Sequence, residues 1–389
     1  MDQKERLIET FATFPHELID VVLSNKSFID INRLSIETYE EAHNYLKNYG
    51  YDLDNAAHAE QVRSILGEAK SFIQTYLLED PEGLTPTLVM PPAITWEDDA
   101  RNFLVMASEK TRAITQRWAC GVLRVAHTIT HAENDLAKYF FQGIKKQIFS
   151  RFMTHLHVTN KNEYYLGRGR SQIRLKLFEM KSEKTKESLI MKLLHKKENV
   201  TADVFDRIGV RIVTNDKLDV LLVLKYLAEN HLVAFANIKP SRTRNNLIDI
   251  ERLLEGLVRF KEEDISGWSE QEVRDFFKPY LVFDKEKARV QEELIRENNP
   301  YSSTQYTSIQ LTARQLITIQ DPFSINLAYK FFFPFEIQIL DHDSFVESRT
   351  GRASHDEYKK SQIISVRRRV LDNVIRYHAR KKCQEVQSV

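Results

Sequence analysis

The chain has 389 residues, of which 42% are hydrophobic and 29% are charged, a composition typical of a folded globular protein rather than a disordered one. Its 56 basic and 55 acidic residues give a formal net charge of +1, which excludes a strong overall field that would attract nucleic acid or a membrane surface. The length allows two domains with sizeable cores, and the two cysteines are too few for a disulfide framework or a zinc site.

The N-terminal sequence MDQKERLIETF carries charged residues where a signal peptide needs an apolar core. No stretch approaches the roughly 18 consecutive apolar residues of a membrane-spanning helix. We therefore expect a cytoplasmic protein without membrane spans.

The first part of the chain predicts helices, because apolar residues recur near the helical period up to about residue 80 and strand-like alternation is absent. Residues 80–92, with four prolines and one glycine, predict a loop. A second helical block follows and includes the long amphipathic stretch 111–141. These elements predict an all-helical N-terminal domain over residues 1–150, whose role the sequence leaves open.

Two histidines of this block, His127 and His131, lie one helical turn apart. Such a pair can bind a metal ion, but the sequence specifies no third ligand and lacks a His-Glu-x-x-His pattern. We predict instead that both residues lie on the helix surface or in a packed interior.

Strand-like alternation begins near residue 164 and predicts an α+β domain over residues 151–389. Its principal strands are segments 204–213, 306–311 and 333–340, each with apolar residues on one side and selected polar residues on the other. A further strand is predicted at 232–238. Helices are predicted at 186–194, 217–229, 270–277 and 358–382, the third opening on the capping-box sequence Ser269-Glu-Gln-Glu272. The predicted fold is α+β, with an all-helical domain followed by a mixed sheet, flanking helices and a long C-terminal helix.

Two carboxylates, Asp206 and Glu336, lie on predicted strands that are far apart in the sequence. A sheet that brings them together would hold Mg²⁺, a hard cation that takes carboxylate oxygens and keeps water and substrate phosphate as its other ligands. Phosphoryl-type transfer also needs cations beside the phosphates. Arg211 follows Asp206 on the same predicted strand, and Lys184 and Lys192 precede it.

Five short segments combine these residues with further polar ones: Lys184-Thr-Lys-Glu-Ser188-Leu-Ile-Met-Lys192, Asp206-Arg-Ile-Gly-Val-Arg211, Tyr306-Thr-Ser-Ile-Gln310, Glu336-Ile-Gln-Ile and His355-Asp-Glu-Tyr-Lys359. In residue type and in order, across about residues 165–360, they resemble motifs of the RelA/SpoT family of alarmone synthetases. That resemblance implies a nucleotidyltransferase-like fold for the second domain and points to a bacterial protein of the stringent response.

The resemblance also implies a reaction, the transfer of the β,γ-pyrophosphate of ATP to the 3′-hydroxyl of GDP or GTP to make a ppGpp-type alarmone. Asp206 and Glu336 would be the catalytic residues and Mg²⁺ ligands, with Glu336 also helping to deprotonate the attacking hydroxyl. By the same resemblance, ATP binding falls to Lys184, Ser188, Lys192 and Arg211, and acceptor binding to Tyr306, Ser308, Gln310, Gln338, His355 and Lys359.

Four positions depart from the family's pattern: Ser182 and Ser354 stand where it has Arg and Glu, and Gln305 and Gln310 where it has Gly and His. Most of these changes touch the acceptor pocket, so two alternatives stay open. One is the same fold acting on an adenine nucleotide or the 3′ end of a tRNA. The other is a non-catalytic nucleotide- or RNA-binding protein. The basic run 168–176 fits either contact with phosphate or RNA, or a charged edge strand in solvent.

Overall fold

The computed structural model describes residues 20–21, 24, 26–111, 113–134, 136–160, 162–181, 185–195, 207–283, 307–320, 328–350 and 355–387. The chain forms two compact units, each built from segments that are distant in the sequence. A helical unit comprises Met1–Asp135, Thr185–Val204 and Lys360–Val389, and a sheet unit comprises Leu136–Lys184 and Phe205–Lys359. The units therefore differ in extent from the two consecutive domains that the sequence predicts.

The described helices are numbered in chain order: α1 Tyr39–Tyr49, α2 Ala56–Tyr76, α3 Pro92–Thr95, α4 Ala100–Ser108, α5 Ile114–Glu133, α6 Leu136–Met153, α7 Lys186–His195, α8 Lys217–Glu229, α9 Ile250–Glu262, α10 Glu270–Phe277, α11 His342–Thr350 and α12 His355–Gln387. Within the part of the chain that the structure describes, no helix combines the length and the apolar character needed to cross a membrane.

A buried arginine holds the proline-rich loop of the helical unit in place. Arg367 of α12 is only 1% exposed and donates hydrogen bonds from Nε to the carbonyl oxygen of Leu77 (2.9 Å) and from Nη2 to that of Pro86 (2.7 Å). Its guanidinium also lies 3.9 Å from the carboxylate of Asp80. Because a buried charge needs such partners, Arg367 in the first half of α12 fixes the loop that follows α2.

Seven strands of the sheet unit form one sheet: β1 Leu156–Val158, β2 Tyr164–Leu166, β3 Ile173–Lys181, β4 Gly209–Thr214, β5 Arg244–Asn245, β6 Ile309–Gln320 and β7 Ala328–Asp341. Their spatial order is β1-β2-β3-β4-β7-β6-β5. The central strands β4 and β7 are parallel, whereas β3 pairs with β4, and β6 with β7, in antiparallel fashion. A mixed sheet with flanking helices confirms the predicted α+β class.

One face of this sheet carries the apolar residues that the period-2 pattern predicts. Ile212, Leu311 and Ile337 are buried in a single core together with side chains of α6 and α8, such as Phe141 and Val223. Since side chains alternate between faces along a strand, the polar residues between them lie on the opposite face. That second face carries the candidate site.

Two predicted elements are wrong. Residues 232–238 do not form a strand; Phe235–Asn237 is a 3₁₀ turn and Ile238 makes one isolated bridge to Ala313. Pro240 follows closely, and since proline cannot donate to a strand ladder, pairing does not continue there.

The predicted helix at 111–141 is two helices, α5 and α6. Asn134 ends the first with a side-chain hydrogen bond to the carbonyl oxygen of Thr130 (2.9 Å).

Candidate functional site

A row of polar side chains crosses five neighbouring strands on the face opposite the apolar core. In the strand registers, Glu179 of β3 pairs with Arg211 of β4, Arg211 with Gln338 of β7, Gln338 with Gln310 of β6, and Gln310 with Arg244 of β5. Residues directly opposite each other in adjacent strands project to the same face. The fold therefore aligns side chains from five separate segments of the chain.

Glu336 lies two residues before Gln338 on β7, on the same face as this row, and the side-chain amides of two glutamines hold it. One carboxylate oxygen accepts a hydrogen bond from Nε2 of Gln310 at 2.5 Å, and the other accepts one from Nε2 of Gln338 at 2.6 Å. The three side chains are half-buried, so these bonds hold the carboxylate in one orientation on the open face.

Arg211 determines which way the amide of Gln338 points. Its Nε and Nη2 donate to Oε1 of Gln338 at 3.2 and 3.1 Å, and its Nη1 donates to Oε2 of Glu179 at 3.2 Å. A guanidinium group can only donate, so Oε1 of Gln338 must face Arg211 and Nε2 must face Glu336. We call the chain of contacts Glu179–Arg211–Gln338–Glu336–Gln310 the sheet network.

A further arginine closes the outer end of the sheet network. Nη2 of Arg349, on α11, lies 3.4 Å from the second carboxylate oxygen of Glu179. Glu179 is thus shared by two guanidinium groups. Its side chain is 30% exposed and that of Arg211 is 17% exposed, so their ion pair is partly shielded from water.

The surroundings of Glu336 fit a ligand of a hard cation. A carboxylate offers about four lone-pair positions, and the two amide donors occupy one on each oxygen. The β4 residue paired with Glu336 is Gly209, so no β4 side chain covers the carboxylate from that side. Mg²⁺ binds through one or two protein carboxylates plus water and substrate phosphate, and Glu336 fits the first of these ligands. Asp206, the second predicted ligand, lies outside the described residues.

No family model matches the chain, and no curated protein sequence matches it. The solved structures similar to part of it include a small alarmone synthetase 1 from Bacillus subtilis and one from the same organism bound to its product pppGpp. They are 12% and 13% identical to the chain, cover 55% of it, and are themselves covered over 82% and 80% of their length. The TM-score is 0.24 for each, which is too low to assign the chain to their family.

The residues predicted to bind ATP are divided between the two units. Arg211 belongs to the sheet network, whereas Ser188 and Lys192 lie on α7, in the helical unit. Oγ of Ser188 accepts a hydrogen bond from Oγ1 of Thr185 at 3.1 Å, just before the helix. Lys184 lies outside the described residues.

Of the residues predicted to bind the acceptor, Gln310 and Gln338 lie beside Glu336. Ser308 is buried just before β6 begins, and its N–H donates to Oδ1 of Asn246 at 2.8 Å, a contact that joins it to the edge of the sheet. His355 and Lys359 lie in the first turns of α12, where Lys359 is exposed. Tyr306 falls outside the described residues.

Sequence reasoning missed Glu179, which contacts Arg211, and Arg349, which contacts Glu179. Period-2 alternation in β3 places Glu179 on the polar face, but the register that sets it beside Arg211 depends on strand pairing. Arg349 comes from the helix after β7 and gives no local signal of its contact. One group of potential metal ligands also occurs among the described residues of the helical unit: the half-buried His43 and Asp52 and the exposed Asp54. There the ammonium of Lys47 already lies 3.1 Å from Asp52.

Proposed function

We propose that this protein is a magnesium-dependent pyrophosphokinase that transfers the β,γ-pyrophosphate of ATP to the 3′-hydroxyl of GDP or GTP, producing a ppGpp-type alarmone. The observation that supports this most is the sheet network. It joins residues of three motif-like segments, with Arg211 and Gln338 separated by 127 positions in the chain, beside the carboxylate of Glu336. A shared site explains why these segments carry polar residues on one face.

In the proposed reaction, the 3′-oxygen of the acceptor forms a bond with the β-phosphorus of ATP. The bond between that phosphorus and the oxygen bridging it to the α-phosphate breaks, and AMP leaves. Bound Mg²⁺ would neutralise charge on the phosphate oxygens. Glu336 would help to hold the ion and would accept the hydroxyl proton, in the orientation that its two amide donors set.

The rest of the sheet network would position Glu336 rather than react. Gln310 and Gln338 orient the carboxylate, and Arg211 keeps the amide of Gln338 turned toward it. A reacting group held in one orientation before substrate binds lowers the entropy cost of reaching the transition state. Arg211 would also add positive charge near the phosphates.

The test is a transfer assay with γ-labelled ATP, Mg²⁺ and a panel of GDP, GTP, ADP and tRNA. We expect label on GDP or GTP and loss of about 10²–10⁴-fold in rate for Glu336→Gln, the range of general acid–base catalysis. Glu229→Gln, a change of the same kind at an exposed residue of α8, serves as the control. Label only on ADP or tRNA would move the proposal to that acceptor. No labelled acceptor with a folded protein would contradict an enzymatic function.

A further inference from the structure

The polar face continues along β6 and β7 well beyond Glu336. Thr312 pairs with Glu336, and the next pairs are Arg314 with Pro334, Leu316 with Phe332, and Thr318 with Lys330. Paired residues project to the same face, so the face that holds Glu336 extends six residues to Lys330, about 20 Å at the rise of a β-strand. We call the part from Arg314 to Gln320 and from Ala328 to Pro334 the distal ladder.

The distal ladder is anchored on its other face by α6. Ile317 and Phe333 are buried there, and Gln147 of α6 bonds to both backbone groups of Thr318, donating to its oxygen at 2.8 Å and accepting from its nitrogen at 3.1 Å. Leu316 and Phe332, on the polar face, are 51% and 52% exposed. A rigid support therefore presents two adjacent apolar side chains to solvent.

The charge of this region is mostly positive. Residues 235–248, 309–320 and 328–335, all described, contain five Lys or Arg residues, and the carboxylates that border them are Asp249 and Glu336. The guanidinium of Arg314 lies 5.8 Å from the centre of the Phe332 ring. An open concavity of about 200 Å³ lies beside Thr312 and is lined in part by Lys239, Arg314 and Pro334.

Cations combined with an exposed ring in an open groove are the surface by which proteins bind single strands, because the cations contact phosphates and the ring stacks on a base. At about 3.4 Å per stacked nucleotide, the 20 Å from Glu336 to Lys330 is longer than a mononucleotide and holds several nucleotides. An acidic peptide would use the cations but not the exposed ring. We propose that the distal ladder and the concavity bind single-stranded nucleic acid, with phosphates at Lys239, Arg314 and Lys330 and a base on Phe332.

This binding function does not depend on pyrophosphate transfer and would stand if the transfer assay failed. It is measured by fluorescence anisotropy, with a fluorescein-labelled single-stranded RNA of mixed sequence and about 16 nucleotides, the upper site size of one single-strand-binding fold. The full-length protein is titrated at several salt concentrations between about 50 and 200 mM. The slope of log affinity against log salt counts the phosphate contacts, at about 0.7 per contact for single strands.

We expect Arg314→Gln and Lys330→Gln each to weaken binding and to reduce that slope by about 0.7. Phe332→Ala should weaken binding by about fivefold to a hundredfold, the range for loss of one stacked base, and leave the slope unchanged. Matched controls are Lys225→Gln and Leu222→Ala, exposed residues of α8, which should change neither quantity. All five side chains are exposed, and circular dichroism of each variant checks that it is folded.

Three results would overturn the proposal. The first is no binding of the RNA by wild-type protein at the lowest salt. The second is equal effects of the ladder variants and the α8 controls. The third is displacement of the RNA by polyglutamate as readily as by unlabelled RNA at equal charge, which would identify a surface for acidic peptides. Weaker binding of a duplex of the same sequence would support the proposal, because stacked, paired bases cannot reach Phe332.

Discussion

Arg211 donates two hydrogen bonds to the side-chain oxygen of Gln338, and this fixes the nitrogen of the same amide toward the carboxylate of Glu336. The orientation of one neutral side chain thus links a cation on β4 to the candidate catalytic carboxylate on β7. Replacing the amide tests this link without introducing a charge.

Gln338→Met keeps the approximate length of the side chain and removes both of its hydrogen-bonding groups. We expect a loss of about 1–3 kcal/mol in the free energy of unfolding, because Arg211 and Glu336 would each lose a half-buried partner. Transfer activity should fall as well, since the carboxylate would lose one of its two orienting donors. Gln271→Met, which removes an exposed amide contact on α10, is the control for urea unfolding and for the transfer assay. A variant as stable and as active as the control would show that this link is unimportant.

A second prediction concerns Glu179, which contacts Arg211 and Arg349 but not Glu336. Glu179→Gln keeps an oxygen that accepts from Arg211 and removes the charge. Because the ion pair is partly exposed, we expect a stability loss below about 1 kcal/mol. If Glu179 positions Arg211, kcat should fall about tenfold, which corresponds to about 1.4 kcal/mol in the activation free energy. KM for ATP should change little.

The control for that variant is Glu270→Gln, which removes one exposed partner of Arg274 on α10. It should leave kcat and KM unchanged. A Glu179 variant that shows the same kinetics as this control would assign Glu179 a structural role only.

Elements with local signals could be predicted from the sequence to the residue. Helix α8 spans Lys217–Glu229 as predicted, and α10 spans Glu270–Phe277 and begins with the predicted capping box of Ser269 and Glu272. Capping and periodicity depend on residues within one or two turns. Strand lengths could not be predicted as well. The segment predicted as a strand at 306–311 is described from residue 307, and its strand, β6, runs from Ile309 to Gln320. The greater length depends on pairing with the long strand β7, which the alternation pattern of the segment itself does not reveal.

The candidate site divides in the same way. Alternation places Glu336, Gln338 and Gln310 on the polar sides of their strands, and the structure brings them together. The contact of Arg211 with Gln338 requires that β4 lie parallel to β7 in one register, which a single sequence does not contain. Arg367 illustrates the same limit, since nothing in the C-terminal basic segment shows that this residue is buried against carbonyl groups of the loop after α2.

A third prediction concerns the pH dependence of the helical unit. Burial, and to a smaller degree the nearby His131, lowers the pKa of His127 to about 4, and its Nδ1 lies 2.7 Å from the hydroxyl of Tyr49. In the unfolded chain the pKa is near 6.5, so between about pH 6.5 and 4 the unfolded state binds more protons at this residue. The stabilisation is therefore complete above about pH 6.5 and is lost as the pH falls toward 4, with a total of roughly 3 kcal/mol.

His127→Gln should remove most of that dependence. Urea unfolding of the wild-type protein at pH 7 and pH 5, compared with the variant, measures it. His378→Gln, on α12, changes a histidine outside this cluster and should retain the wild-type difference between the two pH values. Equal pH dependence in all three proteins would contradict the assignment to His127.

The last prediction compares two glycines that a sequence does not distinguish. Gly167 has a φ of +84°, and an added Cβ would lie 2.7 Å from the ring of Tyr226 and 2.8 Å from the carbonyl oxygen of Ser171. Gly67 lies inside α2 with ordinary helical backbone, and nothing lies within 4 Å of an added Cβ. Gly167→Ala should destabilise the protein by more than about 1 kcal/mol, through backbone strain and the collision with Tyr226. Gly67→Ala should stabilise it by about 0.5–1 kcal/mol, because alanine loses less backbone entropy in a helix. Thermal unfolding of both variants checks the pair, and a change of the same sign in both would contradict the geometry at Gly167.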